Sequence, residues 1–110
     1  MKEGPEKKID DIICKVESID KVNKKELMLL LAALKTEVSL LSRTHGEQAR
    51  SIAGLTEMAA HEATRRDKAP DLLEHALDGM AISVEGFEAS HPKLVETVNG
   101  ICVMLARLGI

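Results

Sequence analysis

An all-α fold is what this sequence predicts, and three observations carry the prediction. The apolar residues are almost entirely Leu, Ile, Val, Ala and Met, with Phe87 the single aromatic side chain of the Phe, Tyr and Trp class. That palette suits helix-on-helix packing, whereas the strands of a β-sandwich draw on aromatic and β-branched residues. Apolar positions recur at steps of three and four along most of the chain, the spacing of one face of a helix. Helix-opening prolines, Pro70 and Pro92, fall between these stripes, and the pair Gly4-Pro5 punctuates the start. A length of 110 residues is that of one domain.

The first element is a short amphipathic helix over about residues 6–19. Ile9, Ile12, Val16 and Ile19 form its stripe and Ile13 widens it. It stops near Asp20, and Asn23 with Glu26 three residues on makes a capping-box pattern for the next helix.

From there a seven-residue repeat runs a long way. Leu27, Leu34, Leu41, Gln48, Leu55 and Glu62 hold one position of it, and Leu31, Val38, His45, Ile52 and Ala59 the other. The reading favoured is one continuous helix over residues 24–66, about 65 Å long at 1.5 Å per residue. The rival is a break at "RTHGEQA", with Gly46 ending one helix while Thr44 and Glu47 cap the next. Gly46 and Gly54 fall off the apolar seam, which keeps its phase on either side. An exposed Gly costs a helix only about 1 kcal/mol, and that favours continuity.

Pro70 and Asp71 suit the first turn of a third helix, over about residues 70–89, whose stripe is Leu73, Leu77, Met80, Val84 and Phe87. A fourth, over 92–108, carries Leu94, Val98, Ile101, Leu105 and Leu108, with Arg107 in its last turn and Gly109 placed to be a left-handed cap. Pro92 biases His91 away from helical angles, so "ASHPKL" is the joint of a helical hairpin.

Composition narrows function. The net charge of −3 comes from interspersed acids and bases, without a basic face to neutralise phosphates and without stacking rings beyond Phe87. Nucleic acid is not the expected partner, and "ATRRDK" reads as a solvated helix end. No run approaches the roughly 20 apolar residues that span a bilayer, and "GICVMLARLGI" is too short to do so. The start "MKEGPEKKIDD" lacks the apolar core of a secretory signal, and a cytoplasmic location with no membrane partner is expected. Cys14 and Cys102 lie in helical patterns with no CxxC partner, as buried free thiols do.

The ending also carries a resemblance. Phe87, Glu88, His91, Pro92, Leu94, Leu105, Gly109 and Ile110 form the pattern F-E-x-x-H-P-x-L, a helix and a terminal Gly-Ile. In this the chain resembles the small bacterial family termed domain of unknown function 4404. The likeness is good over about Asp71 to Ile110 and loose over the leucine-rich helix. It implies no activity and carries over no catalytic residue.

The four histidines are the candidates for metal or acid-base chemistry. "HEATR" begins like the zinc-protease motif H-E-x-x-H, but Arg65 stands where the second ligand belongs, so His61 and Glu62 read as an exposed helical pair. His45 in the seam reads as a residue fixing register, or as a metal or pH-sensing site if several chains bring it together. Glu74, His75 and Asp78 share a solvated face. His91 reads as a cap of the last helix or a partner of Glu88. No G-x-S-x-G, Walker or G-x-G-x-x-G pattern is present, so no catalytic residue and no cofactor are predicted.

The resulting expectation is a coiled-coil-like bundle: a long central helix, a short N-terminal helix and a C-terminal hairpin, completed by homo-oligomerisation. The protein is expected to be a non-enzymatic interaction module that binds itself and a second protein. Its predicted self-interface is Leu34, Val38, Leu41, His45, Ile52 and Leu55; its predicted recognition surface is Phe87, Glu88, His91 and Pro92. The competing expectation is a metal or ligand binder in which His45, His61 or His75 converge with carboxylates inside the bundle.

Overall fold

The structure, a computed structural model, describes residues 4–15 and 21–109, without the side chains of residues 14, 15, 21 and 22. Five helices follow one another among the described residues: α1 Pro5–Lys15, α2 Lys21–Ser42, α3 Gly46–Thr64, α4 Pro70–Ser83 and α5 Pro92–Gly109. The fold is all-α. Pro5, Pro70 and Pro92 each stand first in a helix, where a missing N–H costs nothing and the ring fixes a helical φ. Val16, Ile19, Ile110 and the Cys14 thiol lie outside what is described.

Helix α1 packs on α2 and α3, α5 on α2, α3 and α4, and α4 on α3. Ile9 and Ile12 of α1 are buried as their spacing predicts, and Lys35 on α2 pairs with Asp10 at 2.8 Å. Asn23 does not cap α2, because the helix already runs from Lys21.

The helix expected over residues 24–66 is two. The last turn of α2 tightens: Arg43 N–H donates to the Leu40 carbonyl at 3.3 Å, and the Thr44 and His45 amides both donate to the carbonyl of Leu41. His45, at φ −133° and ψ 61°, then leaves the helical region, and Gly46 opens α3 instead of closing α2. Thr44 does not cap α3 either, as its hydroxyl lies 2.8 Å from Nδ1 of His45.

The reason is burial. An unbroken helix would be nearly twice the 37 Å length of the molecule and would hold its seam out to water. With α3 turned back onto α2, and α1 and α5 packed on the same helix, Leu34, Val38, Leu41 and Ile52 are completely enclosed. Each such side chain gains about 1.5–3 kcal/mol from burial, against about 1 kcal/mol net for each backbone bond lost at the break. The seam expected to receive a second copy is therefore consumed within one chain.

In α3 the buried stripe is Ala49, Ile52, Thr56, Ala59 and Ala63, so Gln48 is exposed and Thr56 is hidden. Thr56 tolerates this because its hydroxyl donates to the Ile52 carbonyl at 2.7 Å. Leu55 is half-buried against α4 at Gly79, where an added Cβ would come 2.9 Å from a Leu55 methyl. Helix α4 ends at Ser83, short of residue 89, and Gly86 at φ +94° makes the turn that follows. Gly109 is the last helical residue of α5 rather than a left-handed cap; it is bare because Leu73 and the backbone of Ala63 press on it.

Candidate functional site

Two joints meet at one end of the bundle. The turn after α2 brings His45, and the loop between α4 and α5 brings Phe87 and His91. Their rings form a closed triangle of edge-to-face contacts: 5.4 Å between His45 and Phe87, 5.6 Å between Phe87 and His91, and 6.3 Å between the two imidazoles. His45 is exposed, and the other two are half-buried.

The loop is built to hold Phe87 there. The Phe87 amide donates to the Val84 carbonyl at 3.1 Å, and the His91 amide to the carbonyl of Phe87 at 2.7 Å. Glu88 accepts from the Gly86 amide at 2.8 Å, which fixes the left-handed turn just before the ring. Pro92, exposed, starts α5, and the His91 carbonyl accepts from Val95. The predicted recognition residues thus sit together, but their roles differ from expectation. His91 lends its backbone to the start of α5 while its imidazole lies against Phe87, and Glu88 pairs with Gly86, not with His91.

His45 also leaves its predicted place. It stands outside the seam, at the joint, and the signal for this was the rival reading of "RTHGEQA" as a break. Of the predicted self-interface, Leu34, Val38, Leu41 and Ile52 are core, Leu55 is half-buried, and His45 alone is exposed.

The chemistry open to the cluster is limited. A threonine hydroxyl beside an imidazole is the first half of an activated nucleophile, but Thr44 and His45 are both exposed neighbours, and an activated pair needs a third group to orient the base. Nor do His45, His61 and His75 converge inside the bundle, since all three are exposed. Among the described residues no group of three or more His, Cys, Asp and Glu side chains is placed to hold a metal ion.

Elsewhere, Glu62 is buried, not exposed as expected beside His61. Arg65, the residue that breaks the zinc motif, is its ion partner at 2.7 Å. Cys102 is half-buried, with Sγ directed toward the Leu77 carbonyl and the Met80 sulfur. Burial, and then the charge of Asp78, push its pKa up. An apolar groove of about 310 Å³ lies between α4 and α5 over Leu73, Leu77 and Ala106, with Glu74 and Asp78 at its rim. No helix among the described residues is long and apolar enough to cross a membrane.

No curated protein and no solved structure matches the chain. One family model, described as Domain of unknown function (DUF4404), matches residues 24–110. The match takes in all but the first three residues of α2 and the whole of α3 to α5, and so reaches the leucine-rich helix as well as the C-terminal hairpin and all three rings of the cluster. The chain therefore belongs to the DUF4404 family.

Proposed function

We propose that this protein is a non-enzymatic helical interaction module, which binds itself through a helix surface and a second protein through the His45, Phe87 and His91 end. One observation supports the second activity above others. The chain's single aromatic ring of the Phe, Tyr and Trp class is half-buried on a loop, at the edge of the core and between two imidazoles, while the core itself is filled with aliphatic side chains. Aromatic side chains presented by loops on a rigid scaffold are the usual anchors of protein recognition. The rings offer an apolar surface with flat faces, suited to an aliphatic or guanidinium side chain of the partner.

The test is affinity capture from the protein's own cells, followed by titration of purified captured protein against the native chain and against Phe87→Ala and His91→Ala. Binding that weakens at least tenfold in both variants, with helical circular dichroism unchanged, is the expected result. A captured partner that binds all three forms alike would refute the site, and failure of any captured protein to bind the purified chain would refute the activity.

A further inference from the structure

Helix α2 is apolar on two sides. Leu27, Leu31, Leu34, Val38 and Leu41 face the core and are fully buried. On the opposite side Leu29 is 65% exposed and Leu40 48% exposed. The segment Leu27 to Leu34 contains no charged residue. A helix apolar all round is the pattern of one covered on both faces.

The outer face has a strict order. Glu26, Leu29, Ala33, Thr36 and Leu40 of α2, and Arg43 in the turn just past its end, follow one another at alternating steps of three and four, the seam of a heptad repeat. The neighbouring elements leave it open: Leu30 rests over Gly100 of α5 on one flank, and Lys35 reaches Asp10 of α1 on the other. Ala33 is half-buried and the other five are exposed. Glu26 and Arg43 enter no ion pair among the described residues.

Read in reverse, the same stripe is its own complement. When a second α2 lies antiparallel across the first, Glu26 meets Arg43, Leu29 meets Leu40, and Ala33 meets Thr36. Each pairing occurs twice, as a two-fold contact requires. The small residues fall at the axis, where two backbones come closest, and the opposite charges fall at the two ends. A parallel arrangement would instead set Glu26 against Glu26 and Arg43 against Arg43.

We infer that the outer face of α2 is the self-association surface, and that its occupant is the α2 of a second copy in antiparallel register. This rests on the proposed reading that the chain binds itself, and it moves that activity from the buried seam to the opposite side of the same helix. The helical part of the stripe, Glu26 to Leu40, spans about 21 Å, one face of about four turns. The dimer forms as a concentration-dependent equilibrium.

Sedimentation velocity of the full chain over a range of concentrations tests this. The native chain is expected to pass from monomer to dimer, and Leu29→Glu and Leu40→Glu are each expected to stay monomeric with unchanged helical circular dichroism. Glu26→Arg alone and Arg43→Glu alone are expected to weaken the dimer roughly fivefold, and the double variant E26R/R43E to restore it. A native chain that is monomeric throughout would overturn both this inference and the self-binding part of the proposed function. A dimer indifferent to Leu29→Glu and Leu40→Glu would overturn this surface while leaving self-binding in place. Loss of dimer in the single charge variants without recovery in the double would overturn the antiparallel register.

Discussion

The imidazole of His45 meets the Phe87 ring edge to face at 5.4 Å, and this contact ties the turn that closes α2 to the loop that follows α4. Neither residue lies in a helix, so each joint holds the other where no regular backbone ladder does. The pair is expected to be coupled. A double-mutant cycle of His45→Ala and Phe87→Ala, read by urea unfolding, is expected to give an interaction of about 0.5–1 kcal/mol, the scale of a ring pair. Additive losses would mean that the two joints are held independently.

Val38 is fully buried between α2 and its neighbours. Val38→Glu places a carboxylate in that core and is expected to destabilise the fold by more than about 4 kcal/mol, a large part of the stability of a domain this size. The expected readout is loss of cooperative thermal unfolding, not the conversion of a dimer to a folded monomer. A well-folded Val38→Glu chain of halved mass would return the seam to the surface.

Two glycines are expected to respond with opposite sign. Gly54 lies inside α3 with open space where a Cβ would stand, so Gly54→Ala is expected to stabilise by about 0.5–1 kcal/mol. Gly86 has φ +94°, and Gly86→Ala is expected to cost about 1 kcal/mol or more and to loosen the Phe87 loop. Thermal denaturation of the two variants beside the native chain decides both.

The Cys102 thiol has its pKa raised above the ordinary 9.0, first by burial and then by the charge of Asp78. As pH rises, the unfolded chain loses this proton before the folded one does. The stability it contributes is therefore whole below the ordinary thiol pKa and is lost as pH climbs through the raised value. Urea unfolding from neutral pH to about pH 10 is expected to show a steeper loss for the native chain than for Cys102→Ala. Equal slopes in the two would mean that the folded thiol ionises as an exposed one does.

The all-α class was legible in the sequence because its determinants are local. The aliphatic palette, the three-and-four spacing of Leu94, Val98, Ile101 and Leu105, and the placement of Pro70 and Pro92 act within a turn or two of chain, and the structure follows them. What the tertiary structure alone decided was the partner of each stripe. A seam such as Leu34, Val38 and Leu41 has the same spacing whether it meets another chain or a later stretch of its own. Burial energy does not depend on how far along the chain the covering atoms lie. Here α1, α3 and α5 of the same chain do the covering, so the helix breaks at Arg43 to His45 and His45 moves from the seam to the ring cluster. Glu62, read as exposed, is buried for the same reason, as is Thr56, which the repeat leaves out: a hydroxyl bonded to its own helix and a carboxylate held by Arg65 look polar in sequence, and only the packed structure shows their polarity already satisfied.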